Sequence, residues 1–192
     1  MGVKLVSASG GSVEINPPAT ASSFTATMPA GTGNVVVNGI NGTLVLGTAV
    51  ASTSGTSIDF TGIPSWVRRV TVMFNGVSLN GTSNYLIQIG AGSVTSSGYT
   101  SACNNGAGTV TSSTAGFLVT TSSAASDLTF GMVSLATLGS NAWTQSAILN
   151  NGNTLRFGAG FVSLGGTLDR VRITTVNGTD TFDAGSINIL YE

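Results

Sequence analysis

Three carboxylates near the C-terminus are the side chains of this sequence with the most scope for acid–base chemistry. Asp180 and Asp183 lie close together in sequence, and Asp169 precedes them. Paired carboxylates act as general acid and base in glycosidases, and carboxylates combined with loop carbonyls also suit Ca²⁺. The structural alternative, which we favour, is that Asp180 and Asp183 shape the turn over residues 177–184 through Asx hydrogen bonds, while Asp169 pairs with a nearby arginine.

Other routes to catalysis need residues that this sequence lacks. The chain contains no histidine, so neither a Ser-His-Asp nor a Cys-His arrangement can form, and no imidazole can bind a metal. Its single cysteine, Cys103, cannot form a disulfide within the chain and has no basic neighbour in sequence to activate its thiol. We therefore predict that Cys103 is a small structural residue and that the protein is not an enzyme. We assign no catalytic, cofactor-binding or metal-binding residues.

Four arginines, Arg68, Arg69, Arg170 and Arg172, supply most of the positive charge. Strand alternation could align them on a solvent-exposed face or at a subunit contact. Ion pairs with Asp169 or Asp59 are the interpretation we favour, and binding of an anionic surface glycan is the alternative.

Two tryptophans and three Asn-Gly-Thr triplets are further candidates for a role at a surface. Trp66 and Trp143 could stack on sugars, but apolar neighbours favour packing in the core or at a subunit interface. Asn41, Asn80 and Asn177 match the N-glycosylation acceptor pattern. Since Asn-Gly is first a turn signal and Thr suits a following strand, we expect turns at these positions.

The composition indicates a protein with a neutral polar surface. Of 192 residues 27 are glycine and only 7% are charged, with a net charge of −1, while 41% are hydrophobic. There is no basic patch for nucleic acid or anionic lipid, no apolar run long enough to span a membrane, and no secretory signal. A surface of Ser, Thr, Asn and Gly is insensitive to pH and salt, which suits work outside a cell or on a particle.

Short runs of alternating apolar and polar residues, separated by turn signals, are typical of an all-β sandwich or jelly roll. In one run Val70, Val72 and Phe74 share a face, and Asn75-Gly76 follows as a predicted turn. The C-terminal stretch has two such runs with a turn predicted at Asn177-Gly178. The other apolar faces expected in the core consist of Tyr85, Ile87 and Ile89; of Val171, Ile173 and Thr175; and of Ile187, Ile189 and Tyr191.

Residues 1–48 differ from the rest because their predicted strands are too short to bury a core alone. These short strands are expected at 5–15 around Gly10-Gly11, at 24–28, at 34–39 and at 43–47. Identical copies side by side would bury what one copy cannot, so we interpret residues 1–48 as a β anchor or shaft stabilised by oligomerisation. Residues 49–192 form the predicted head, an antiparallel jelly-roll-like sandwich with a long polar loop at 90–114.

Several stretches together resemble one protein family. They are Ile-Pro-Ser-Trp-Val-Arg-Arg-Val-Thr-Val-Met-Phe-Asn at 63–75, Gly-Thr-Leu-Asp-Arg-Val-Arg-Ile-Thr-Thr-Val-Asn-Gly-Thr at 166–179 and Phe-Asp-Ala-Gly-Ser-Ile-Asn-Ile at 182–189. Residues 3–37 add Lys-Leu-Val-Ser-Ala-Ser-Gly-Gly-Ser-Val, Pro-Pro-Ala-Thr-Ala-Ser and Met-Pro-Ala-Gly-Thr-Gly-Asn-Val. This combination resembles the fibre and appendage proteins of tailed bacteriophages.

The resemblance implies a homotrimeric, β-rich virion component with a jelly-roll-like C-terminal head, and it carries over no catalytic residues. Our first hypothesis is a short trimeric tail fibre on the virion surface, made in the cytoplasm of the bacterial host. Residues 1–48 would attach to another virion protein, either a tail adaptor or nozzle or the capsid. Loops at 75–84, 90–114 and 121–127 would contact a glycan or protein of the host surface.

Two other classes of function stay open. The second hypothesis is a capsid head fibre or decoration protein, because a segment of only about 48 residues before the head leaves little room for an anchor and shaft. The third, which we disfavour, is a glycan-degrading enzyme that uses Asp180 and Asp183, and a Ca²⁺ site at the same turn is a further alternative. In none of these hypotheses does the protein bind nucleic acid or insert into a membrane.

Overall fold

A computed structural model describes residues 3–6, 9–10, 12–15 and 44–192. The internal contacts of the chain divide it into two units, Met1–Val35 and Val36–Glu192. In the first unit, strands β1 (Val3–Val6) and β2 (Ser12–Ile15) pair antiparallel, which confirms the two short strands predicted around Gly10-Gly11. The strands predicted at 24–28 and 34–39 lie outside the described residues.

The second unit is all-β and antiparallel. It contains no helix within the described residues, as the alternating sequence pattern predicts. Its strands are β3 (Val45–Leu46), β4 (Val50–Ala51), β5 (Ile58–Thr61), β6 (Arg69–Leu79), β7 (Tyr85–Ala91), β8 (Ser93–Val94), β9 (Thr100–Asn104), β10 (Val110–Ser113), β11 (Phe117–Leu118), β12 (Thr129–Gly139), β13 (Ala142–Asn151), β14 (Thr154–Ser163), β15 (Arg170–Thr175) and β16 (Phe182–Tyr191).

The larger of the two sheets in this unit has the strand order β10-β9-β14-β13-β12-β6-β16-β3, and β4 also pairs with β16. Strands β12, β13 and β14 form a meander, which brings β14 back beside the earlier strand β9. This arrangement is a Greek key. Val45–Leu46, placed by the sequence pattern in the N-terminal segment, pairs here with the C-terminal strand.

The smaller sheet has the order β11-β7-β15-β5, with β8 paired to β7. Both sheets contribute to one hydrophobic core, so the arrangement is sandwich-like. Every predicted core face is buried or nearly so: Val70, Val72, Phe74, Tyr85, Ile87, Ile89, Val171, Ile173, Thr175, Ile187 and Ile189 are buried, and Tyr191 is partly buried. Across the two sheets Phe74 meets Tyr85 edge-to-face, with ring centroids 6.0 Å apart.

The Asn-Gly pairs at 75–76 and 177–178, which the sequence predicts as turns, do not form hairpins. Strand β6 continues through Asn75-Gly76, where the register with β12 and β16 shifts and Gly76 has a φ of 64°. This is a β-bulge, which uses the same positive φ as a turn. Asn177-Gly178 does turn the chain, but it carries the chain from β15 in the small sheet to β16 in the large sheet.

The predicted long loop at 90–114 contains the short strands β8, β9 and β10. Strand β9 lies on β14 and carries β10 at the edge of the large sheet. Much of the segment is therefore part of the scaffold, and only its connections are free to form surface loops.

Candidate functional site

The strand directions place several polar loops together at one end of the sandwich-like unit. Strands β6, β13 and β15 end here, and β7, β12 and β14 begin here. We call this the polar loop end and define it by residues 80–84, 105–109, 119–128, 152–153 and 176–181.

Asn177 and Asp180 organise one half of the polar loop end. The backbone amides of Thr179 and Asp180 both donate to Oδ1 of Asn177 at 3.1 Å, and the Asn177 side-chain amide donates to Asp180 Oδ1 at 2.7 Å. The Ser83 amide donates to Asp180 Oδ2 at 2.9 Å, and the Asn177 amide donates to Ser83 Oγ. An Asx turn is present here, but its acceptor is Asn177 and not, as predicted, Asp180 or Asp183. Asp180 instead accepts from the Ser83 amide and fixes the loop at 80–84.

Arg156 and Asn151 organise the other half. Arg156 is only 4% exposed, and its guanidinium donates to Asn151 Oδ1 at 3.2 Å through Nη2. The Ser123 hydroxyl also donates to Asn151 Oδ1, at 3.3 Å, and the Ser123 amide donates to Asn84 Oδ1 at 3.3 Å. These contacts tie the loop at 121–127 to the loop at 80–84.

The third predicted contact segment reaches the same end. The hydroxyls of Thr111 in β10 and Thr121 share a hydrogen bond of 2.6 Å. Asn105 accepts hydrogen bonds from the amides of Ala107 and Thr109, both at 3.0 Å, and so closes the loop between β9 and β10. Parts of all three segments, 75–84, 90–114 and 121–127, are therefore linked by hydrogen bonds, while 75–79 is strand and 91–99 lies toward the opposite end.

The three candidate carboxylates do not form a shared site. Asp183 accepts a hydrogen bond from the Ser78 hydroxyl and Asp180 belongs to the Asx turn, whereas Asp169 lies beyond the opposite ends of the strands. In the part of the chain that the structure describes, no three acidic or cysteine side chains gather into a group that could hold a metal ion.

Three of the four arginines are paired. Arg170 binds Asp169 through two contacts, of 2.7 and 3.0 Å, and Arg172 binds Asp59 through two contacts of 2.7 Å. Both pairs confirm the predicted ion pairs. Arg69 pairs with Glu192, and Arg68 instead donates to the backbone carbonyls of Ser65 and Val67, both at 3.2 Å.

The hydrogen bond from Arg170 lowers the pKa of the Asp169 carboxyl below its ordinary value. The same hydrogen bond raises the pKa of Arg170. Both shifts favour the charged forms, so the two residues stay paired across the neutral range.

The tryptophans and the cysteine have structural positions. Trp143 is buried in the core, and Trp66 packs against the core beside Tyr191 at a centroid distance of 5.9 Å. Cys103 lies within β9 and is 1% exposed, and burial raises the pKa of its thiol to about 11. Packing, rather than sugar stacking or thiol chemistry, accounts for all three side chains.

The Asn-Gly-Thr triplets at Asn80 and Asn177 both lie in the polar loop end. Asn80 Oδ1 accepts from the Thr181 amide at 2.9 Å, and Asn177 forms the Asx turn. Asn41 lies outside the described residues.

A cavity of about 480 Å³, which the sequence analysis did not predict, lies at the end of the unit opposite the polar loop end. Three loops distant in sequence line it, and they contribute Arg68, Asn141 and Thr167 beside the buried Trp143. Its volume is within the usual range for small-molecule sites. Only the tertiary fold brings these loops together, so no local sequence pattern could reveal the cavity.

Comparison with protein-family models, with curated proteins and with solved structures finds no match to this chain. Among the described residues there is no helix of the length and apolarity that a membrane crossing requires. Function must therefore be inferred from the chain's own residues.

Proposed function

We propose that the protein is a short homotrimeric tail fibre of a tailed bacteriophage, and that it mediates adsorption to the host surface. The N-terminal segment attaches to another virion protein, and the sandwich-like unit, which includes Val45–Leu46, forms a jelly-roll-like head without catalytic activity. The proposal is supported by the resemblance over residues 3–37, 58–89 and 164–192, together with the all-β fold.

The observation that carries the proposal is the convergence, at the polar loop end, of parts of three loop segments whose one charged side chain is Asp127. Asn84, Ser123, Thr111 and Thr121 hold these segments to one another through side-chain hydrogen bonds. Loops that are already fixed lose less conformational entropy on binding than flexible loops, so each contact costs less free energy. A weak contact by one copy gains avidity when several copies engage one host surface.

Glycans are rich in hydroxyl groups, and the polar loop end offers hydroxyls, amides and backbone groups that can hydrogen-bond to them. Few charges lie there, so binding of this kind would change little with ionic strength. A surface of this type fits a neutral host glycan better than a strongly anionic one.

Competition for adsorption tests the proposal. Purified full-length protein, incubated with host cells before the phage is added, should slow phage adsorption in a dose-dependent way. Ser126→Arg, at an exposed position of the polar loop end, should lose this competition, because a long charged side chain would block close contact. Thr167→Arg, at an exposed position of the opposite end, is the matched control and should compete like the unaltered protein.

The proposal fails if the unaltered protein, shown to be folded, does not slow adsorption at any concentration. Equal loss of competition in both variants would mean that the polar loop end is not the contact surface.

A further inference from the structure

The outer face of the large sheet is unusually apolar for a surface exposed to water. Its outward side chains on β12, β13 and β14 include six large hydrophobic residues that are 42–60% exposed: Phe130, Met132, Ile148, Leu155, Phe157 and Phe161. The inward positions of β14 include Arg156, which is buried. Strand β14 thus turns apolar residues outward and a cation inward, the reverse of the usual arrangement at a solvated sheet.

The register of the strands orders these side chains into rows. Phe157 lies opposite Ile148, Ile148 opposite Met132, and Met132 opposite Met73. This row of large side chains runs across four strands and forms a ridge.

The next row along the strands consists of small side chains. Ala102, Ala159, Ser146, Ser134 and Thr71 lie opposite one another in turn, from β9 to β6. Because two residues along a strand span about 6.8 Å, this row forms a shallow groove directly beside the ridge.

The outward positions on β9, β14, β13 and β12 carry no charged residue. On β6 the outward Arg69 is charged, and it is paired with Glu192. Two copies of this face can therefore meet without like-charge repulsion or the desolvation of unpaired charges. The ridge of one copy also matches the groove of another in shape. In a closed trimer the ridge of each copy would contact the groove of the next, which is the heterologous contact that a ring of identical subunits requires.

The size of the face is also suitable. Five strands about 4.8 Å apart and about seven residues long cover on the order of 600 Å². Each partner in a standard-size interface buries about 800 Å², and monomers seldom expose contiguous apolar patches larger than a few hundred Å².

We infer that the outer face of β9, β14, β13, β12 and β6 is the surface through which copies of this chain associate, with the row Phe157–Ile148–Met132–Met73 of one copy seated on the small-residue row of another. The inference rests on the homo-oligomer in the proposed function and names the surface that forms it.

Sedimentation velocity on the full chain tests the inference. Ile148→Glu places a charge in the centre of the ridge, where association would bury it without a partner. The dissociation constant of the oligomer should rise on the order of 100-fold or more, so the variant should sediment as a monomer when the unaltered chain is an oligomer. Val176→Glu is the matched control, since Val176 is also β-branched and similarly exposed, 55% against 60%, but lies at the polar loop end.

Thiol labelling gives a second readout that does not depend on a destabilising substitution. Ser146→Cys places a thiol in the small-residue row, and it should react slowly with maleimide in the oligomer and rapidly once Ile148→Glu is added. The native Cys103 is buried and contributes little to the labelling.

An Ile148→Glu variant that keeps the oligomer mass, together with rapid labelling of Cys at position 146, would overturn the inference and leave the homo-oligomer itself standing. An unaltered chain that is monomeric at all concentrations would overturn both the inference and the trimer. The adsorption-competition experiment tests the polar loop end separately, so failure of the inferred oligomer surface can be distinguished from failure of the proposed function.

Discussion

At the residue scale, the charged side chains act mainly on one another. Arg170 and Arg172 each form a two-contact ion pair on the small sheet, with Asp169 and Asp59. Exposed ion pairs of this kind contribute little to the free energy of unfolding, because water and salt screen them. They fix side-chain positions on the sheet more than they stabilise it.

Stability should therefore be nearly independent of pH between about pH 5 and 8, because the chain has no histidine. The pKa of Asp169 is lowered in the folded state, so its contribution is present above the unfolded value of about 3.9 and is lost as the pH falls through the lower folded value. Burial raises the pKa of Tyr99 to about 12, so its contribution is present below about pH 10 and is lost as the pH rises through 12. Thermal unfolding midpoints, measured from acid pH below the unfolded value of Asp169 to alkaline pH above the unfolded value of Tyr99, follow both losses of stability.

Asp169→Asn is the control for the acid limit, because it removes the titrating group and should make the acid decline shallower. A stability maximum or a steep change between pH 5 and 8 would contradict this prediction, since no identified group titrates there.

At the element scale, β6 and β16 pair in the large sheet through a bulge at two glycines. Gly76 and Gly185 both have positive φ, 64° and 88°. A Cβ on Gly185 would collide with the backbone carbonyls of Gly76 and Asn75. The close approach of the two strands therefore depends on a glycine at position 185.

Gly185→Ala should lower the free energy of unfolding by roughly 3 kcal/mol or more, because it combines a left-handed backbone with a clash against backbone atoms. Gly178→Ala is the matched control. Gly178 also has a positive φ, 67°, but nothing lies within 4 Å of the added Cβ, so the loss should be about 1 kcal/mol. Urea unfolding of both variants measures the difference, and equal losses would show that the close contact at Gly185 has no energetic role.

Local patterns predict which residues face the core, and they fail where distant strands decide the outcome. Val70, Val72 and Phe74 are predicted correctly because side-chain alternation is a property of a single strand. Asn75-Gly76 favours positive φ in a turn and in a bulge alike, and only the partners Phe130 and Ser186 on β12 and β16 make it a bulge. A turn could therefore be predicted there, but not its place inside a strand.

The individual loops of the candidate site could be predicted from the sequence, but the contacts that bring these loops together could not. The composition of 75–84, 90–114 and 121–127 predicts polar loops, and Asn177-Gly178 predicts a turn. That Asn177, and not Asp180 or Asp183, accepts the Asx hydrogen bonds was not predicted. The buried Arg156 has no such signal. Its partners are Asn151, at the end of the neighbouring strand β13, and the carbonyl of Ser122, in a loop distant in sequence. The sequence likewise cannot show that the apolar residues of β14 face outward.

At the scale of the whole molecule, the polar loop end and the outer face of the large sheet suit different tasks. The polar loop end presents fixed polar groups, and the outer face of β9, β14, β13, β12 and β6 presents an apolar surface whose one charged side chain in these strands, Arg69, is paired with Glu192. In the proposed trimer the apolar faces would be buried between copies, and the polar loop ends would remain free for the host. This division of tasks is consistent with the composition, because only 7% of the residues are charged and the polar loop end is built from uncharged polar residues for the most part.

The location of the protein on the virion separates the tail fibre from the capsid head fibre or decoration protein. An exposed position of the polar loop end such as Thr179 can be changed to Cys, labelled with gold and imaged on intact particles by electron microscopy. The buried Cys103 should take up little label. The tail fibre proposal predicts label confined to the tail vertex, whereas label spread over the capsid would contradict it and favour a head fibre or decoration protein.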